Sequence, residues 1–266
     1  MDLSQLGIVA RERTPWEAVD LGILLARKWY RPLVIGWLLP SLIVFVAFSV
    51  LFHEWLWLGM LITWWLKPLW DRVPLFMASR ALFGETITAK GVLRAWLGFT
   101  KKDGFAWLTW RRFSPTRAFD MPVTVLEGIS GEARQKRLRV LHINTSGAAT
   151  WLTIVCVHVE LAIILGGIGL IYLFIPDEVD FSLWVFLGSE ERFTEILLNL
   201  MTYVAMVLVA PFYTLAGFAL YISRRITLEG WDIELRFRQL ADRQSSRSVS
   251  LQHEQATKTN KVASCE

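Results

Sequence analysis

Cysteine and histidine are scarce in this chain, with two cysteines and four histidines in 266 residues. Cys156 falls inside an apolar run and Cys265 is next to last, so a disulfide framework is excluded. His53, His142, His158 and His253 stand in no metal-ligand or HExxH spacing, and no metal site is expected. A Walker loop and a G-x-S-x-G elbow are also missing. The two glycines of GISGEAR at 128–134 read as a loop and helix start, a weak pattern for phosphate. The first thirty residues carry Asp2, Glu12, Glu17 and Asp20 in place of a continuous apolar stretch, so no cleavable signal is expected and an internal segment starts insertion. These absences leave no catalytic, cofactor or nucleotide site, and neither enzyme activity nor a cofactor is expected.

What the chain has in surplus is apolar: 54% hydrophobic residues, mean hydropathy +0.40 and fourteen tryptophans, several flanking apolar runs as interfacial anchors do. The expectation is an all-α polytopic integral membrane protein with about four transmembrane helices plus interfacial and cytoplasmic amphipathic helices. One membrane domain spans 1–242, with crossings near 32–52, 55–75, 148–175 and 195–222. The second is the weak one, because its apolar run ends at Lys67 and a re-entrant hairpin is the alternative. Thr14-Pro15-Trp16-Glu17 predicts a capped helix start, followed by an amphipathic helix that either lies at the interface or packs on other segments. Between 76 and 147 the pattern predicts surface-lying helices, one near 88–99, a proline-containing loop over RRFSPTRAFDMPV and a basic helix that Ser130 starts. A charged cytoplasmic helix is expected over 224–242 and a disordered tail over 243–266.

Basic residues set the orientation. Five precede the first crossing, fourteen lie from Lys67 to Arg139, eight follow the last crossing, and only Arg192 sits between the third and fourth. By the positive-inside rule both termini and the central region face the cytoplasm of a bacterial inner membrane. The same clustering makes nucleic-acid binding the weaker account of the charge.

Four polar residues in or beside apolar segments are costly enough to be candidates: Glu160, Lys67, Asp71 and His158. Lys67 lies roughly 20 Å and Glu160 roughly 22 Å from the outer ends of their helices at about 1.5 Å per residue. They match in depth, so Lys67 pairs with Glu160 across the bundle, bonds Asp71 one turn away, or snorkels. Arg134, Lys136, Arg137 and Arg139 on the basic helix are candidates for anionic lipid or for plain positive-inside retention. Trp231, with Leu228 and Leu235, gives the last helix an apolar side for the bundle or a partner.

Pro211, ALYISRR and LEGWDIE resemble the C-terminal end of bacterial membrane proteins related to the membrane domain attached to some glycerophosphoryl diester phosphodiesterases. TPWEAVDLG, KPLWDRVPLFMASRALFGE and RRFSPTRAFD are similar to segments of uncharacterised Gram-negative inner-membrane proteins. No phosphodiesterase domain accompanies them here, and no lipid hydrolysis is implied. The resemblance implies partnership with other membrane proteins or a MoxR-type ATPase system. The function expected is a non-enzymatic subunit or scaffold of a membrane complex. The alternative is a small-solute or proton-coupled transporter using Glu160 and Lys67.

Overall fold

In the computed structural model, residues 8–9, 11–85, 104–174, 192–231 and 233 are described, and every regular element among them is helical. The surface helix expected near 88–99, most of the helix expected to 242 and the tail lie outside the described residues.

Helix α1 (Pro15–Lys28) begins as its first four residues dictate. Thr14 Oγ1 accepts from the Glu17 amide at 3.3 Å, and the Glu17 carboxylate accepts from the Thr14 amide at 2.9 Å. That second bond holds the Glu17 carboxyl below its usual range. A depressed carboxylate stabilises above its unfolded pKa and loses the contribution as pH falls through the folded one. Glu17→Ala is therefore expected to lower the melting temperature slightly at about pH 7 and to match the unsubstituted protein near about pH 3.

Among the described residues three helices are long and apolar enough to cross a membrane: α2 (Tyr30–Leu51), α9 (Ser146–Phe174) and α10 (Arg192–Glu229). Their bounds overlap the apolar segments 32–52, 148–175 and 195–222. Helix α10 runs further, its 38 residues reaching about 57 Å, nearly twice the hydrocarbon thickness. The charged helix expected from 224 is its continuation, and Gly230, at φ +65°, follows its last turn.

The segment expected to cross over 55–75 is not one continuous helix. It is divided into α3 (Leu56–Trp65), α4 (Lys67–Trp70) and α5 (Arg72–Leu82). The ten residues of α3 cover about 15 Å, half the hydrocarbon of a bilayer. Two residues stop it: Lys67 introduces a charge, and Pro68 has no N–H to return to the Trp64 carbonyl.

Helix α6 (Gly104–Leu108) and a 3₁₀ turn (Trp110–Phe113) lead to α7 (Arg117–Val125) and the basic helix α8 (Gly131–His142). Much of α7 falls where a loop was expected, and it holds Pro122 within it. Burial decides the matter. Phe119, Met121 and Val123 are at most 1% exposed, and at about 1.5–3 kcal/mol each they outweigh the roughly 3 kcal/mol cost of an interior proline. Ser130 stands at the N-cap of α8, but its side chain makes no capping bond.

Helix α10 is the hub, packed on α1, α9, α7, α2, α5 and α3. The side of α1 that it covers is not the full apolar arc of the sequence. Ala18, Val19, Gly22 and Ala26 are buried, while Trp16 and Ile23 of the apolar arc expected over Trp16, Val19, Ile23, Leu25, Ala26 and Tyr30 stay outside. Ala18, Gly22 and Ala26 recur every fourth position, and such stripes let two backbones approach closely. The helix expected at an interface is thus packed along α10. Two apolar cores result, one around Trp107, Phe119, Phe218 and Tyr221, the other around Trp37, Met60, Trp70 and Tyr203.

Candidate functional site

Buried charge gathers where the two cores meet. Lys67, the first residue of α4, donates through Nζ to Glu160 Oε1, halfway along α9. Their side chains are 7% and 16% exposed, so the pair is shielded from solvent. Of the three arrangements that depth left open, the cross-bundle one is present.

Asp71 is fully buried and takes different partners. Trp37 Nε1 of α2 donates to its Oδ1 at 2.9 Å, and Arg117 Nη2 of α7 to its Oδ2 at 3.5 Å. The Arg117 guanidinium lies 5.5 Å from the centre of the Tyr213 ring on α10 and within electrostatic reach of Glu160. Thr153 of α9 closes the network, donating to the Pro115 carbonyl at 2.5 Å and sharing a 3.3 Å contact with Tyr213 OH. Five elements, α2, α4, α7, α9 and α10, are joined by charge or hydrogen bonding at one level.

Arg112 belongs to the same cluster and was not singled out by the sequence. Its Nη2 donates to the Trp64 carbonyl at 2.8 Å, and its guanidinium stacks 3.9 Å from the Trp64 ring centre. That carbonyl is the one Pro68 leaves without a helical partner, so the arginine takes the place of the missing amide. Burial, and then the Arg117 charge, pushes the Arg112 guanidinium down to about 10. The set Lys67, Arg112 and Arg117 against Asp71 and Glu160 is one negative charge short of balance. Pro68, four residues after Trp64, was the signal that a distant donor would be needed.

His158 is not brought into this network. It is exposed on the other side of α9, with Nδ1 against the Ile154 carbonyl at 2.7 Å. That surface is bare: Ala148, Ala149, Leu152 and Ile168 are the buried residues of α9, while Val155, Val157, Leu161 and Leu165 are each at least half exposed.

The basic helix α8 divides its charge. Arg134 turns inward, its Nε donating to Thr124 Oγ1 at 2.8 Å beneath the Trp107 ring. Arg137 bridges Glu127 at 3.0 Å and Glu229 at 2.5 Å, and the Glu127 bond, the largest influence, raises its pKa. Lys136 and Arg139 remain outward, Lys136 beside Glu132 at 2.8 Å. Only two of the four cations are therefore presented to a surface. Trp231 is also committed, 7% exposed with Nε1 donating to Glu229 at 3.0 Å and Arg225 over its ring. Leu228 stays partly exposed, and Leu235 lies outside the described residues.

Among the described residues no group of three or more His, Cys, Asp or Glu is placed to hold a metal ion. Comparison with protein-family models, with curated proteins and with solved structures finds no match to this chain.

Proposed function

We propose that the chain is a non-catalytic subunit or scaffold of a bacterial inner-membrane complex, crossing four times with both ends in the cytoplasm. Twenty-seven of 28 basic residues fall on one side in that topology. The second crossing, over 55–75, uses α3, α4 and the start of α5, with Lys67 paired to Glu160.

The observation that carries the reading is the bare side of α9. A 29-residue apolar helix with little of its circumference buried, and with His158 on the bare side, faces either lipid or protein. A ring nitrogen in hydrocarbon costs free energy that a polar contact from a partner helix removes. The Lys67 and Glu160 side chains inside the bundle, by contrast, are paired with each other.

Affinity purification in mild detergent at native expression tests this. We expect other membrane proteins to co-purify, and to be depleted by His158→Leu. Recovery of the chain alone would overturn the reading. The resemblance of the sequence makes a MoxR-type ATPase the soluble partner to look for.

The broken segment favours a second reading, a small-solute or proton-coupled transporter, because discontinuous helices with polar groups at their breaks line transport paths. Loss of proteoliposome flux in Glu160→Gln and Lys67→Gln would support it. Unchanged flux removes it.

A further inference from the structure

Beyond the apolar part of α10, a half-open cleft of about 210 Å³ lies between the segment before α1, the turn into α9 and the outer turns of α10. Arg13 and Arg224 line it, with the hydroxyl-bearing residues Thr145, Ser223 and Thr227 and one carboxylate, Glu12.

Neither arginine has a carboxylate partner among the described residues. Arg224 Nε is buried without a hydrogen bond. Its neighbour Arg225 takes both oxygens of Glu229, at 2.9 and 2.7 Å. Arg13 donates to main-chain carbonyls, Val9 at 2.7 Å and Arg11 at 3.3 Å. Burial, and then the Arg11 charge, lowers the Arg13 pKa against a smaller opposing pull from Glu17.

A third source of positive potential is the start of α9. Asn144, at φ +62°, turns the chain from α8 into α9 and lines the cleft with Thr145. The first turn of α9 holds no acidic side chain, so the positive end of a 29-residue helix is not met by a carboxylate of its own. Two guanidinium groups against one carboxylate leave the cleft with a net charge of +1. At about 30 Å³ per water its volume equals about seven waters, room for a phosphate group of five heavy atoms.

We propose that this cleft binds a phosphate group, held between Arg13 and Arg224 and hydrogen-bonded by the Ser223 hydroxyl. Guanidinium forks match phosphate oxygens in pairs. The group comes either from a soluble phosphate or from a phospholipid headgroup. The headgroup source rests on the membrane reading above, whereas the anion site does not.

The purified full chain in neutral detergent is titrated with inorganic phosphate and, separately, with short-chain phosphatidylglycerol, against sodium chloride of equal ionic strength, with thermal stabilisation as the readout. Saturable stabilisation by inorganic phosphate supports the proposal with a soluble source. Stabilisation by the phospholipid alone supports it with the headgroup. Arg224→Gln and Arg13→Gln are expected to weaken binding roughly tenfold or more. Glu12→Gln changes an exposed side chain outside any helix, so it tests the site where an arginine variant fails to fold. It is expected to tighten binding severalfold. No saturable effect of either ligand, or binding unchanged by Glu12→Gln, overturns the site. Neither result bears on partner capture, so failure of the site and failure of the scaffold reading are told apart.

Discussion

Glu160→Met is expected to destabilise the protein more than Lys67→Met, although both break the same ion pair. Removing one partner of a buried pair costs about 3–5 kcal/mol, because the remaining charge stays desolvated. The neighbours make the two losses unequal. Lys67→Met leaves Arg112 and Arg117 against Asp71 and Glu160, a balanced set, and Arg117 is already within reach of Glu160. Glu160→Met leaves three cations against Asp71 alone. The double variant Lys67→Met with Glu160→Met removes one charge of each sign and is expected to lie close to the unsubstituted protein. Thermal unfolding of the four proteins in one detergent checks this. Equal losses for the singles, adding in the double, would mean that the pair is not coupled.

Gly217→Ala and Gly22→Ala are expected to be the most damaging small substitutions. A Cβ on Gly217 would stand 2.5 Å from Ala118 Cβ and 2.6 Å from its carbonyl carbon, and one on Gly22 would stand 2.4 Å from Ala216 Cα. Since backbone atoms are among those struck, relief requires α7 or α1 to move away from α10. Overpacking typically costs about 1–3 kcal/mol, and a shift of whole helices puts these sites at or above the upper end. Gly166 is the control. It lies inside α9 with nothing within 4 Å of a built Cβ, so Gly166→Ala is expected to be neutral or to gain up to about 1 kcal/mol from helix propensity. Yield and monodispersity on size exclusion should fall for the first two and hold for the third.

The long helices were legible because a predominantly apolar run of twenty or more residues is a one-dimensional signal. The start of α1 was legible for the same reason, since Thr14 and Glu17 cap locally. The Lys67–Glu160 pair lay between the two kinds of information. Helical rise placed the residues at one depth, but only packing chose Glu160 over Asp71 or the headgroup layer. The partners of Asp71 were not legible, because Trp37 and Arg117 reach it from helices whose relative rotation no local pattern encodes. The basic stripe of α8 misled in the same way. Arg134 and Arg137 look like surface cations until Thr124, Glu127 and Glu229 are folded beneath them. Pro68 four residues after Trp64 implied an orphaned carbonyl, and Ala18, Gly22 and Ala26 implied a close helix contact.

On this account the buried charges match one another inside the bundle and the function lies on its outer surfaces. The most direct test compares the double variant Lys67→Met with Glu160→Met and the unsubstituted protein, both purified at native expression in mild detergent. The account predicts the same co-purifying membrane proteins from both, since the clamp is replaced by packing and the side of α9 bearing His158 is untouched. A double variant that folds to the same stability yet loses its partners would contradict it.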